Sequence, residues 1–497
     1  MQFKYGTDTL TLNTINQIIR GERKAVLTGQ TIQKIKTCRD RVKQIVESGK
    51  TVYGINTGFG PLCEIQISPE EASKLQENLL ISHAVGVGQP IDQELSKIML
   101  ICKVHALSQG YSGVRLEVIE RMLYFMENDL IPVVPEQGSV GASGDLAPLA
   151  HLFLPLIGEG ELWLNKKKVP SKKVLKEKHL KPLQLESKEA LALINGTQFI
   201  LAHAIKGLQK MDYLLDLADV AGAMSLEGVQ GSAAPFEADL HRLRPFPGSV
   251  YVAQRLRMLM KDSEILGSHL HCDRVQDPYS LRCIPQVHGA SRNAFEHLKE
   301  LTEIEMNSVT DNPIILGEGL ALSGGNFHGQ PLAMALDYNA LAASELGNIS
   351  DRRCYLLLEG KYGLPRLLTK KGGLNSGFMI PQYTTAALVT ENKSLCFPAS
   401  ADSIPTSLGQ EDHVSMGSIS GRKFNQILHN VEKILAIELM YAAQAIEFRR
   451  PYKGSALLEK NHRLIRAHIA PLEDDRLLKD DIDTMITLVQ SQKFTVK

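Results

Sequence analysis

The sequence predicts a mainly α protein, a bundle of long helices with a smaller mixed N-terminal region carrying minor β structure. Three observations carry that expectation. Long stretches rich in Ala, Leu, Ile and Glu, with helical periodicity, lie near 187–225, 285–306, 332–350 and 420–448. Helices of that length exceed the ordinary globular mean and suit a bundle, often one shared between subunits. Strand-like alternation is confined to short pieces, Thr9–Leu12 and Glu161–Leu164. Finally, no repeat, low-complexity tract or flexible linker interrupts the helical body. The 497 residues therefore read as one unit, a mixed region over about 1–185 and a long-helix body over about 186–497.

Taken in order, the chain first offers an amphipathic helix around Ile32 to Val46. A glycine-rich loop, Val52 to Gly60, follows and carries one phenol, Tyr53. Ser68-Pro69-Glu70-Glu71 reads as a helix start, with a Ser cap, Pro in the first turn and Glu three residues after the cap. Leu75, Leu79 and Ser82 share one face of that helix, which ends in Ser82-His83-Ala84-Val85-Gly86-Val87-Gly88. Helical stretches around Leu95–Leu107 and Leu116–Leu130 lead to Pro132. Past residue 151, Glu161–Leu164 reads as a strand. The lysine-rich Lys166–Lys181 segment reads as an exposed hairpin or excursion whose charges form a solvated face.

Bulk properties narrow the class. Basic and acidic residues balance at 55 each, so no net field favours nucleic acid or an anionic membrane. No apolar run approaches the ~20 residues of a membrane span, and the N-terminus lacks a signal pattern. The seven cysteines are scattered and odd in number, which suits reduced thiols in a cytoplasmic protein.

The chain is organised around Gly138-Ser139-Val140-Gly141-Ala142-Ser143-Gly144-Asp145-Leu146-Ala147-Pro148-Leu149-Ala150-His151, a glycine-punctuated loop that turns into an apolar, helix-like run. With no side chain on Gly144, its amide nitrogen can approach the Ala142 carbonyl and close a five-membered ring. Loss of the Ser143 hydroxyl as water would leave an exocyclic methylene. The product would be a methylidene-imidazolone, an electrophile made from the chain itself. A bare Ala-Ser-Gly is also an ordinary turn. The stretch lacks the second glycine of a G-x-S-x-G nucleophile elbow and the Lys-Ser or Lys-Thr of a phosphate loop.

Further islands of polar and glycine residues interrupt the helices. Asn195-Gly196-Thr197 lies within an apolar, helix-like run, where an amide is costly unless hydrogen-bonded; a satisfied core amide and a functional one are both open. Gln276-Asp277-Pro278-Tyr279-Ser280-Leu281-Arg282 offers an amide, a phenol and a guanidinium able to fork onto a carboxylate, or else a surface turn begun by Asp-Pro. His269-Leu270-His271-Cys272 has no partner pair at metal-ligand spacing, so no metal is expected. Thr310-Asp311-Asn312-Pro313 precedes Ser323 to Gln330, whose glycines permit close backbone approach around Phe327. In Gln410-Glu411-Asp412-His413-Val414-Ser415-Met416-Gly417, Glu411 and His413 suit acid-base or ligand work, or capping of the next helix.

The central loop, the Tyr53 loop, Asn195–Thr197, Gln276–Arg282, Gly324–Gln330 and Gln410–Gly417 together resemble the aromatic amino acid ammonia-lyase and aminomutase family. They occur in its order and span nearly the whole chain. Within it, Ser82-His83 and the glutamate of Gln-Glu-Asp-His-Val-Ser-Met resemble the histidine-specific ammonia-lyases. Gly409 is a departure, since those enzymes usually carry Asn there. Glu411 suits an imidazole, whose N–H it can accept, whereas a phenyl ring gains nothing from a buried carboxylate.

The resemblance implies non-oxidative elimination of ammonia from L-histidine to give trans-urocanate, through a methylidene-imidazolone formed autocatalytically from Ala142, Ser143 and Gly144, with no dissociable cofactor. It implies Tyr53 as the base for the β-proton, with neighbours that lower its pKa or stabilise the phenolate. Asn195 and Tyr279 would sit near the prosthetic group, with Tyr279 orienting or relaying a proton. Arg282 would clamp the substrate carboxylate, His83 and Glu411 would hold the imidazole, and Gln276 and Phe327 would complete the pocket. It further implies a homotetramer with active sites shared between subunits. The rivals are a same-family lyase or aminomutase acting on tyrosine, phenylalanine or a modified histidine, and a non-catalytic helical scaffold. A fumarase-like lyase is disfavoured by the absence of a Gly-Ser-Ser-x-Met-Pro-x-Lys loop.

Overall fold

A computed structural model describes residues 2–68, 70–269, 274–317 and 320–496. The N-terminal segment pairs β1 (Phe3–Lys4) in parallel with β2 (Ala25–Val26). Thr9–Leu12 is not a strand. The Thr11 hydroxyl accepts from Thr14 N and caps α1 (Leu12–Ile19), so local capping overrides the alternating pattern. Helix α2 (Gly29–Glu47) is begun by the Thr28 hydroxyl, and its buried face of Ile35, Cys38, Val42 and Ile45 follows the expected periodicity. Helix α3 (Ala72–His83) starts after the proposed cap. Ser68 and Glu71 do exchange hydrogen bonds, but the helix runs only from Ala72, and Pro69 lies outside the described residues.

Strand β3 (Val87–Pro90) precedes α4 (Gln93–Ser108), which is buried along nearly its whole length, and α5 (Leu116–Glu127). Strands β4 (Ile131–Pro132) and β5 (Pro135–Gln137) bring the chain to the central loop, and β5 pairs antiparallel with β3. That loop ends in α6 (Leu146–Phe153). Within the lysine-rich segment, β7 (Lys167–Pro170) forms a hairpin with the preceding β6 (Glu161–Leu164); the rest is not hairpin but a short α7 (Ser171–Glu177) that buries Val174 and Leu175. The periodic stretch near 187–225 comprises two helices, α8 (Glu189–Ile194) and α9 (Gln198–Gly228), interrupted at the Asn195–Thr197 island. Asn195–Thr197 leaves helical geometry, with Asn195 at ψ 144° and Gly196 at φ 115°.

The C-terminal part adds α10 (Ala238–Arg242), α11 (Pro247–Leu259), α12 (Glu264–Gly267), α13 (Tyr279–Arg282) and α14 (Ile284–Met306). A small antiparallel pair follows, β8 (Ile314–Ile315) with β9 (Ala321–Leu322). The remaining helices are α15 (Gln330–Leu358), α16 (Met379–Leu395), α17 (Gly417–Glu447), α18 (Ala456–Arg466) and α19 (Leu478–Gln490). No helix among the described residues is long and apolar enough to cross a membrane.

The chain forms two compact units. The first comprises residues 1–206, 299–336 and 398–422 and holds all the described strands; the second comprises 207–298, 337–397 and 423–497. In the first, α6 packs against α3 and α8. In the second, the apolar interior also holds buried ion pairs. Arg353 grips Glu438 with two bonds of 2.5 and 2.9 Å, and Ser225 and Ser350 donate to the same carboxylate. Removing one partner of such a buried pair strands the other's charge.

Candidate active site

Gly144 fixes the shape of the central loop. It sits at φ 79°, and a Cβ added there would lie 2.1 Å from the carbonyl oxygen of Gly196, so no other residue fits. Ala142 and Gly144 pair with each other as an isolated antiparallel bridge, which folds the backbone back on itself at Ser143. Gly144 also bridges to Gly196. Asp145 N donates to Gly196 O at 2.7 Å, and Gly196 N donates to Ser143 O at 3.4 Å. Ring closure between Gly144 N and the Ala142 carbonyl carbon needs this folded-back arrangement, so the residues fit a methylidene-imidazolone.

Two supports hold the loop. Asp145 is fully buried. It accepts from the Ser139 hydroxyl through one oxygen, and from Phe199 N and Ile200 N at the start of α9 through the other. Burial pushes its carboxyl up to about 7, although those donors favour the charged form. On the opposite side, Met416 N donates to Val140 O, the Ser415 hydroxyl to Gly141 O and the Ser418 hydroxyl to Ser139 O. Ala142 packs with Val414 and Met416. The Gln410–Gly417 island is thus a wall of the loop.

Glu411 does not cap α17. The Ser143 hydroxyl donates to its Oε1 at 2.7 Å, while the Thr406 and Ser407 hydroxyls donate to Oε2 at 2.7 and 3.1 Å. The carboxylate is therefore held at one oxygen and aimed at the loop with the other. His83 is the last residue of α3, with its Nδ1 3.0 Å from the Ser82 hydroxyl. Burial lowers its pKa, opposed by the Leu79 carbonyl and by the charge of Glu411.

Tyr53 is half-buried in a turn where Val52 N donates to Asn56 Oδ1 and Gly54 N to Thr57 Oγ1. Its phenol pKa is raised, against the expectation of lowering. Burial dominates and the nearby Glu411 charge adds to it, with only the Gly60 backbone opposing. Asn195 caps the end of α8 and is 4% exposed. Phe327 is half-buried in a loop tied down by bonds from Gly324 N to Asn312 Oδ1 and from Asn326 to Val309 O. Tyr53, His83, Ala142, Ser143, Gly144, Asn195, Phe327 and Glu411 all belong to the first unit.

Gln276, Tyr279 and Arg282 belong to the second. Between them, buried Asp277 accepts from Ser232 N at 2.6 Å and from Arg274 at 2.9 Å, stapling the segment down. Gln276 and Tyr279 point outward, Tyr279 being 70% exposed, and the Arg282 guanidinium lies over the Tyr279 ring at 4.5 Å. Leu270, His271 and Cys272 lie outside the described residues. The described cysteines are free.

Sequence reasoning gave no role to Asp145, Thr406, Ser407 or Lys103. Asp145 stood inside the quoted stretch, and Lys103 was a lone charge in an apolar helix; the two hydroxyl residues carried no signal. Lys103 donates to the carbonyls of Ala192 and Asn195, directly behind the Asn195–Gly196 peptide.

The profile of the family described as aromatic amino acid lyase matches residues 10–467. A histidine ammonia-lyase of Myxococcus xanthus is 45% identical over 97% of this chain and 96% of its own length. Among solved structures, the histidine ammonia-lyase of Trypanosoma cruzi is 42% identical with a TM-score of 0.90, covering 99% of this chain and 94% of that one. A tyrosine aminomutase of Streptomyces globisporus is 32% identical with a TM-score of 0.94, covering 99% and 98%. With a match over nearly its whole length and a loop folded as cyclisation requires, the chain belongs to the aromatic amino acid lyase family.

Proposed function

We propose that the chain eliminates ammonia from L-histidine without net oxidation, giving trans-urocanate. The observation that carries the reading is the Glu411 carboxylate, braced by two hydroxyls and aimed at Ser143. A carboxylate there accepts the N–H of an imidazole and favours partial positive charge on the ring. A phenyl or phenol ring would leave it desolvated with nothing in return.

The methylidene-imidazolone built from Ala142, Ser143 and Gly144 supplies an electrophile that draws electron density from the substrate. The side chains do the rest. Tyr53 removes the β-proton as its phenolate, and because burial raises its pKa this basic form grows as pH rises. His83 and Glu411 hold the imidazole. Arg282 receives the substrate carboxylate in a fork. Asn195 lies beside the prosthetic group, Tyr279 orients the substrate or relays a proton, and Gln276 and Phe327 complete the pocket.

The working form of this reading is a cytoplasmic homotetramer in which each chain is one catalytic unit and active sites combine residues of several subunits. Two features support it. The stapled segment presents Gln276 and Tyr279 outward, and α15 exposes Tyr338, Leu341 and Tyr355 along one face. Incubation with L-histidine, followed by ultraviolet absorbance, tests the reaction. A conjugated product that forms with the intact chain and not with Ser143→Ala is the expected result.

A further inference from the structure

Lys103 lies in the middle of α4 and is 1% exposed. Its ammonium donates to Ala192 O at 3.0 Å and to Asn195 O at 2.5 Å, carbonyls at the end of α8 that have no partner within the helix. Burial pushes its pKa down to about 7, against the pull of Asp311 and Asp145 and with the repulsion of Lys188. An apolar side chain would fill this space without desolvating a charge, so the lysine calls for a reason beyond packing.

The peptide it grips supplies one. Asn195–Gly196 is the surface against which the central loop is folded, through the Gly144–Gly196 bridge, the bond from Asp145 N to Gly196 O and that from Gly196 N to Ser143 O. We propose that Lys103 is a positioning residue for prosthetic-group formation, acting through the Asn195–Gly196 peptide to hold Ala142–Gly144 folded back for ring closure. Ring closure forms a bond from Gly144 N to the Ala142 carbonyl carbon. The Ala142 oxygen leaves as water with the protons of the Gly144 and Ser143 amides, and a C=N double bond forms between the Ala142 carbonyl carbon and Ser143 N. The second step breaks the Ser143 Cα–H and Cβ–Oγ bonds, forms the Cα=Cβ bond and releases a second water. No oxidant is needed, and Lys103 touches none of these atoms.

The inference rests on the proposed function only in that the group must form. Intact mass of freshly purified full-length wild type, Lys103→Arg, Lys103→Met and Lys103→Gln tests it, with circular dichroism and thermal melting alongside. Wild type and Lys103→Arg are expected short by two waters. Folded Lys103→Met and Lys103→Gln are expected to retain one or both waters in most chains. A purely structural role would lower the melting temperature and leave the mass short by two waters. A folded Met or Gln variant that loses both waters fully overturns the proposal, as does a folded Arg variant that does not. If neither Met nor Gln folds, Lys103 is structural and the proposal fails. A wild type that keeps both waters overturns the reading beneath it.

Discussion

Glu411 and Tyr53 show how position sets chemistry at the scale of single residues. Glu411 is held at Oε2 by Thr406 and Ser407, which leaves Oε1 as the acceptor facing the loop. Glu411→Gln keeps the size but replaces a charged acceptor, a loss of about 1.5–3 kcal/mol. The expected result is a fall in kcat/KM for histidine of at least about tenfold, read from urocanate absorbance, in protein whose intact mass is still short by two waters. The proposed role of Tyr53 as the base carries a pH dependence. Its raised pKa keeps the phenol protonated at neutral pH, so the basic fraction climbs with pH through the neutral and alkaline range. Histidine turnover is expected to climb with it, and Tyr53→Phe to lose both the activity and the climb; a rate flat from pH 7 to 9 in the intact chain would contradict the assignment. Both residues were legible because each stood in an island of glycines and polar residues. The supports of Glu411 were not, since Thr406 and Ser407 act through contacts that only folding creates.

Among elements, periodicity announced the long helices but not how closely they cross. Asn195–Thr197 stood out as a polar island in an apolar run, but nothing in the sequence showed that the backbone departs there to meet Gly144. Thr9–Leu12 alternated like a strand, yet one threonine hydroxyl decided for helix. The crossing of α11 and α14 was equally hidden. A Cβ on Gly248 would lie 2.1 Å from Gly289 O, and one on Gly289 2.4 Å from Ser249 N. Backbone atoms cannot step aside as a side-chain tip can, so Gly289→Ala must part the helices. It is expected to cost about 1–3 kcal/mol, read as a lower denaturation midpoint in urea.

For the whole molecule, the residues proposed for the site divide between the two units, with Gln276, Tyr279 and Arg282 in the second and the others in the first. The order of the motifs along the chain was legible in the sequence; their division was not, because each unit is assembled from widely separated segments of the chain. If active sites combine residues of several subunits, Tyr53→Phe and Tyr279→Phe chains expressed together should recover activity above either alone, in mixed tetramers resolved by native mass spectrometry. Mixed tetramers no more active than the parents would refute shared sites. The central claim is the reaction itself, tested most directly by ultraviolet absorbance during parallel incubations with L-histidine, L-tyrosine and L-phenylalanine. The account predicts urocanate from histidine alone, abolished by Ser143→Ala. Coumarate or cinnamate in place of urocanate would contradict it.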